Sequence, residues 1–326
     1  MPRVDADATR PEGPCRQPGW YRHEVRAVVD SVVERLWPGR SARVEPLPGG
    51  ITNANFLVDL GDDKVVVRVP GRGRDLLGID PVAELAASTI AATIGVAPEV
   101  VAYDQESGCL VSRFVEARPI TLDEMARPPM LALVVDAVRR VHAAGVLDTT
   151  FDYFAVIDRY HDHAAERGVR EPFDFDSACA VMRRIAGARP FRPTVLGHND
   201  LLNANFLFDG SVRILDWEYA GMTDPFFDLA NLSANHRFDD DADAALLQYY
   251  FGVCDDGLVA TLALFKLVSE LREAMWGVLQ LAVSDLDVDF AAYATERGER
   301  FAHLLAPMDL PALLKLAAGA GAGDRP

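Results

Sequence analysis

The sequence predicts an α+β chain in which a small antiparallel sheet lobe precedes a larger helical lobe, and three observations carry that prediction. Between residues 41 and 117, short apolar runs alternate with Gly-containing turns. From Thr121 onward the apolar residues recur at helical spacing. One hairpin pattern, at 205–215, interrupts that helical part. No Pro-Gly or acidic stretch isolates a linker, so the two parts should meet at a hinge near Glu116–Pro119. The expected organisation is an N-terminal extension and helix over 1–40, a first lobe over 41–117, a second over 118–316 and a flexible tail over 317–326.

Trp20 to Leu36 reads as an amphipathic helix that Pro38-Gly39 ends. Arg43–Leu47, Asn55–Leu60 and Lys64–Val69 read as strands, joined by turns at Gly49-Gly50 and Gly61-Asp62. A helix from Pro81 to about Ile94 follows, with Asp80 as N-cap and proline at its first position. Glu99–Tyr103 and Cys109–Phe114 complete the sheet. In the second lobe, the run Asn205–Phe208, the turn Asp209-Gly210 and the run Val212–Leu215 form the hairpin. NANFLVD at 53–59 echoes NANFLFD at 203–209, a match too short to mark a duplication.

Composition excludes several classes. A chain of 326 residues, half of them hydrophobic, can bury a sizeable core. The net charge of −17 argues against a nucleic-acid partner, because no basic surplus exists to displace counterions, and it suits a cationic small molecule. Cys15, Cys109, Cys179 and Cys254 are widely spaced and form no CxxC pair, so neither a zinc site nor a disulfide framework is indicated. The first twenty residues lack the apolar core of a signal peptide. The longest apolar helix, near 257–283, carries Lys266, Glu270, Arg272 and Glu273 and is too charged for a membrane span. A cytoplasmic protein is expected.

The segment LGHNDLLNANFLFDGSVRILDWE at 196–218 is the most informative part of the chain. His198, Asp200 and Asn205 make an H-x-D-x-x-x-x-N string, and Asp216 follows across the hairpin. Singly these are ordinary turn residues. Together the spacing sets two metal-binding oxygens, on Asn205 and Asp216, beside a candidate base, Asp200, which is what phosphoryl transfer from ATP to a hydroxyl requires. Oxygen ligands of this kind suit Mg²⁺. His198 is better read as a loop-holding residue. Upstream, Gly49 and Gly50 would let backbone approach phosphates, with Thr52 and Asn53 adding hydrogen-bonding groups. Arg68, inside the apolar strand VVVRVPG, needs a partner, and phosphate oxygens or Glu84 on the next helix are the candidates.

HND at 198–200, the later Asn205, DWEYAG at 216–221 and DPFFDLAN at 224–231 together resemble the choline/ethanolamine kinase family, within the wider aminoglycoside-phosphotransferase-like group. The resemblance runs from about Arg43 to about Leu305. It implies a two-lobed protein-kinase-like fold, ATP and Mg²⁺ as cosubstrates, and a small cationic alcohol such as choline or ethanolamine as acceptor. It further implies that Arg68 and Glu84 form the pair that holds the nucleotide phosphates and that Ser112, Phe114 and Val115 lie along the adenine edge. Tyr219, Trp276 and Tyr293 match the family's acceptor-pocket aromatics, with Glu273 on the helical face of Trp276. Asp228, in FFDLAN, would brace the catalytic loop, while Asp224 caps the helix that starts at Pro225 and Glu218 either assists the metal or faces solvent. Two departures concern the acceptor: Asn235 replaces a Glu of the animal enzymes, and Glu273 replaces a second Trp. An aminoglycoside- or thiamine-type phosphotransferase of the same fold, and a catalytically silent nucleotide-binding regulator, are the alternatives.

Overall fold

The computed structural model describes residues 19–48, 52–284 and 286–319. Helix α1 (Gly19–Leu36) repeats Val25, Val29, Val32 and Val33 along one stripe, and that stripe covers one face of a sheet. The sheet comprises β1 (Arg43–Leu47), β2 (Ala54–Asp59), β3 (Lys64–Val69), β4 (Val100–Asp104) and β5 (Cys109–Arg113). They lie in the order β1-β2-β3-β5-β4, every pair antiparallel. Strand alternation sorts the residues: Phe56, Val58, Val65, Val67, Cys109 and Val111 meet α1. Leu57, Val66, Arg68, Leu110 and Ser112 alternate with them and take the opposite face, which looks toward the second lobe.

Arg35 fastens α1 to this sheet. Its Nε and Nη2 donate to the two Asp104 oxygens at 3.0 and 2.6 Å, and the Ser107 amide adds a third bond at 3.0 Å. The Arg35 hydrogen bond is the chief reason the Asp104 carboxyl is held down to about 2. A depressed carboxylate stabilises the fold above its unfolded value of 3.8 and loses that contribution as pH falls toward the folded value. Asp104→Ala is therefore expected to cost about 1–2 kcal/mol at neutral pH, with the gap in melting temperature from wild type closing between pH 3.8 and about 2. Thermal melts across that range check it.

After β3 come the short α2 (Arg74–Leu77) and α3 (Pro81–Thr93). Asp80 caps α3 by accepting from the Val82 and Ala83 amides. The small residues Ala83, Ala87 and Ala91 face the core of the second lobe, so α3 belongs by packing to that lobe although it lies between strands of the first. The remainder comprises β6 (Arg118–Pro119), α4 (Leu122–Met125), α5 (Met130–His142), α6 (Tyr153–Glu166), α7 (Phe175–Ala188), β7 (Val195–Gly197), β8 (Phe206–Phe208), β9 (Val212–Ile214) and β10 (Gly221–Thr223). Helices α8 (Pro225–Asn235), α9 (Asp240–Phe251), α10 (Asp256–Val283), α11 (Phe290–Leu305) and α12 (Leu310–Gly319) follow. Helix α10 is buried nearly all round along its middle and packs against α6, α8, α11 and α12. Among the described residues no single helix is long and apolar enough to cross a membrane.

The α+β, two-lobed protein-kinase-like architecture expected from the sequence is the one observed. Five local details refine or correct the sequence reading. Within the stretch Glu116–Pro119, where the hinge is expected, Arg118–Pro119 forms a short strand on β8. The second lobe contains a further pairing, β7 with β10, that the helical pattern hid. Asn205 closes a 3₁₀ turn (Asn203–Asn205) rather than opening the strand run, because its amide is drawn back to the Leu202 carbonyl at 3.0 Å. Asp216 lies beyond the end of β9 and not at a strand end, with φ +64°. Of the Ala/Gly run at 317–323, residues 317–319 belong to α12 and Ala317 is buried; the rest lies outside the described residues.

Candidate active site

The site forms where the β7 exit, the β8–β9 hairpin and the N-terminus of α8 converge beneath the first lobe. Gly197 ends β7 and the chain turns sharply at Asn199, whose φ is +65°, a conformation Asn tolerates. The Asn199 side chain secures the turn by donating to the Tyr219 carbonyl at 3.0 Å. Asp228, capped into the first turn of α8 by Asp224 and Pro225, accepts the His198 amide at 2.8 Å and the Asn199 amide at 2.6 Å. His142 Nε2, on α5, donates to the same carboxylate at 2.9 Å, and the Tyr250 hydroxyl lies 2.6 Å from His142 Nδ1. Burial pushes the Asp228 carboxyl up, but the His142 hydrogen bond and the neighbouring amides bring it below the ordinary value of 3.8. It is thus a buried anion held by several donors.

His198 ties the two halves of the hairpin region together. Its Nε2 meets the Leu215 carbonyl at 2.8 Å and its Nδ1 takes the Asp200 amide at 3.2 Å. Asn205 Nδ2 donates to the Asp200 carbonyl at 2.9 Å, which leaves the Asn205 side-chain oxygen for another partner. Asn231, one helical turn beyond Asp228, accepts the Leu201 amide at 2.6 Å. Backbone and side-chain bonds therefore fix Asp200, Asn205 and the approach to Asp216 as one unit. The positive φ of Asp216 costs about 1–2 kcal/mol for a residue with a Cβ, and it turns the carboxylate toward Arg68.

Arg68, on the inward face of β3, pairs with both Asp216 and Glu84. Glu84 is buried on α3 and is shared with Arg74 of α2, a residue the sequence did not single out. Below them Glu218 is 3 % exposed and accepts from Thr52 Oγ1 at 2.9 Å and Asn53 Nδ2 at 2.7 Å. Burial first, then the adjacent Asp216, pushes the Glu218 carboxyl up, while Arg68 opposes the rise. Glu218 therefore latches the loop before β2 onto the second lobe. It does not face solvent. Gly49 and Gly50 lie outside the described residues. Gly71 crosses that loop so closely that a Cβ would fall 1.7 Å from the Thr52 carbonyl oxygen.

Ser112 sits in β5 opposite Val66, on the same sheet face as Arg68. The Phe114 amide is spent on the Lys64 carbonyl at 3.0 Å, so Val115 is the next residue along the connector between the lobes. On the far side of Asp200, Tyr219, Glu273, Trp276 and Tyr293 converge from the 216–221 segment, α10 and α11. Trp276 Nε1 donates to the Tyr219 hydroxyl at 3.0 Å and the Tyr293 hydroxyl donates to Glu273 at 2.6 Å. Trp276 and Tyr293 meet edge to face at 5.6 Å. Asn235 Nδ2 reaches the Leu201 carbonyl at 3.5 Å. In the middle of this group is Arg272, which pairs with Glu273 and lies 3.2 Å from Asp200.

Asp216 pairs with Arg68, and the Asn205 backbone carbonyl accepts the Leu215 amide at 2.9 Å, which sets Asn205 beside the residue that precedes Asp216. No cluster of three His, Cys, Asp or Glu side chains able to hold a metal occurs among the described residues. A hard cation sharing its shell with phosphate oxygens and water needs no more than two such ligands, and the donor set fits it: Asn205 has committed its NH₂ group and not its oxygen. The arrangement can hold a metal-bound phosphate between Arg68 and Asp216 and present a hydroxyl to Asp200.

The model of the phosphotransferase enzyme family matches residues 43–262. A solved choline/ethanolamine kinase family protein from Mesorhizobium loti is 30% identical and superposes with a TM-score of 0.76, over 91% of this chain and 99% of that one. Protein LicA of Haemophilus influenzae is 27% identical over 62% of this chain, a match that spans 61% of the LicA length. Human ethanolamine kinase 2 is 25% identical over 81% of this chain and 76% of its own. With the family model matched over two thirds of the chain and a solved relative covered almost end to end, this protein belongs to the phosphotransferase enzyme family and, within it, to the choline/ethanolamine kinase family.

Proposed function

We propose that the protein transfers the γ-phosphoryl group of ATP to the hydroxyl of a small alcohol, with amino alcohols of the choline and ethanolamine type as the class its relatives' names put first. The observation that carries the reading is that hydrogen bonds through His198, Asn205 and Leu215 tie Asp200 and Asn205 to the residue before Asp216, which itself pairs with Arg68. Asp200 orients the acceptor hydroxyl and takes its proton as the new bond forms. Asn205 and Asp216 would hold Mg²⁺, which neutralises charge on the transferred group. Arg68, steadied by Glu84, exchanges its Asp216 contact for phosphate oxygens. Thr52 and Asn53 lie over the nucleotide, and Ser112, Phe114 and Val115 border the adenine. Tyr219, Glu273, Trp276 and Tyr293 wall the acceptor side. Direct in-line transfer needs no covalent enzyme intermediate. A cytoplasmic location, where ATP is available, goes with this reading.

The test is an acceptor panel of choline, ethanolamine, thiamine and aminoglycosides with γ-labelled ATP. A labelled alcohol phosphate should form with Mg²⁺ and disappear when EDTA removes the metal, returning when Mg²⁺ is restored. Product that forms equally in EDTA would contradict the assignment of Asn205 and Asp216 as metal ligands. ATP-induced thermal stabilisation with no product from any alcohol would support the silent regulator instead.

A further inference from the structure

Arg272 gives the acceptor pocket a chemistry different from that of a simple ammonium site. Its side chain is fully buried on α10. The guanidinium lies 4.5 Å from the Tyr219 ring centroid and 5.6 Å from that of Phe151. Nη1 serves both Asp200 and Glu273. Aromatic faces backed by carboxylates are the means of holding an ammonium, and here they already hold a cation of the protein itself. Burial disfavours that charge, and Glu273 and Asp200 more than restore it. Pushing Arg272 aside to admit an ammonium would strand a buried charge, which typically costs several kcal/mol.

The other edge of the same guanidinium is unmatched. Arg272 Nε and Nη2 are buried and make no hydrogen bond among the described residues. These two N–H groups share one side of the planar fork, the side that meets a carboxylate with two parallel bonds. Phe151 and Tyr219 also line a cavity of about 200 Å³, together with Arg159 and Glu218. Arg159 Nε is likewise buried and unmatched. Its guanidinium lies over Gly78, where a Cβ would fall 2.3 Å from Nη2, so the absence of a side chain there makes room for the cation. Phe151, whose ring lies 5.6 Å from the Arg272 guanidinium, lines the same cavity as Arg159, which places the two cations in one neighbourhood. The two guanidiniums balance Asp200 and Glu273, but Glu218, Asp80 and Asp152 also line the cavity, so an incoming anion is favoured only at the Arg272 and Arg159 edges.

We propose that the acceptor alcohol carries a carboxylate, which docks on the Nε/Nη2 edge of Arg272 with Arg159 as second cation while the hydroxyl is presented to Asp200. The inference rests on the phosphoryl-transfer reading above and replaces its choline- and ethanolamine-type acceptor with a hydroxy acid, amino alcohols that also bear a carboxylate included. Arg272 is then a specificity-determining residue as well as a partner of Asp200.

The experiment measures kcat/KM of the full-length enzyme for glycerate, serine and homoserine against choline and ethanolamine, in wild type, Arg272→Met, Arg272→Lys and Arg159→Met. Wild type should favour the best carboxylate-bearing alcohol by at least about tenfold. Arg272→Met should collapse that ratio, Arg272→Lys should restore it in part, and Arg159→Met, on the cavity rim, should weaken it with the fold untouched. A ratio cancels any loss of Asp200 positioning, since that loss falls on every acceptor alike. If Arg272→Met does not fold, the wild-type and Arg159→Met ratios decide. Preference of the wild type for choline or ethanolamine, a ratio that none of the variants moves, or ATP binding without turnover of any carboxylate-bearing alcohol overturns the inference. Absence of both ATP binding and all turnover overturns the phosphoryl-transfer reading beneath it.

Discussion

Asp200→Ala is expected to lower phosphoryl transfer by about 10²- to 10⁴-fold, the range for removing a positioned general base. The loss should fall on kcat and leave the KM for ATP nearly unchanged, because in the proposed mechanism Asp200 serves the acceptor while the nucleotide side is assigned to Arg68 and Asp216, with Glu218 holding Thr52. The fold should survive. Arg272 loses one carboxylate partner but keeps Glu273, and the loop geometry rests on the Asp200 backbone, whose amide and carbonyl bond His198 and Asn205 in the variant as in the wild type. Single-turnover kinetics with labelled ATP, beside a thermal melt, separate these effects. Turnover retained in the purified variant would remove Asp200 from the mechanism.

Much of this site could be read from short stretches of sequence because its geometry is made locally. The Asp209-Gly210 turn dictates the hairpin, and strand alternation alone sends Arg68 to the face opposite Val65, Val67 and Val69, where Glu84 meets it. The rest depends on pairings far apart in the chain. Arg272 reads in sequence as one charge among several that disqualify a membrane helix; only the packing of α10 against the loop at 198–200 and the ring of Tyr219 turns it into the centre of the acceptor side. Its one available signal was an Arg-Glu pair inside an otherwise apolar helix stretch, since a buried cation needs partners. Glu218 carries no spacing signal, because its partners Thr52 and Asn53 lie more than 160 residues earlier. The β7–β10 pairing has three residues on each side, too few to show a period against a helical background. His142 is similar: at the end of an amphipathic helix it looks like a core histidine, and it becomes part of the site only through Asp228.

That link makes Asp228→Ala the most damaging change to the fold. The carboxylate accepts the His198 and Asn199 amides and faces His142 Nε2, and all four groups are buried. Alanine would leave three donors without an acceptor in a place water cannot reach, for a cost of about 3–5 kcal/mol. The turn at Asn199 would lose its anchor, so Asp200 would be displaced as well, and activity should fall even in the fraction that stays folded. His142→Ala tests the division of labour. It removes one donor and leaves both loop amides bonded, so it should cost less stability than Asp228→Ala and spare most of kcat. The sign of the pH dependence follows from the depressed Asp228 carboxyl: its contribution is complete above the unfolded value of 3.8 and is lost as pH falls through the lower folded value. The stability gap between wild type and Asp228→Ala should therefore be flat near neutrality and narrow only in acid. Equal damage from His142→Ala and Asp228→Ala, in both melting temperature and kcat, would mean that the histidine and not the pair of loop amides carries the coupling between the helical core and the catalytic loop.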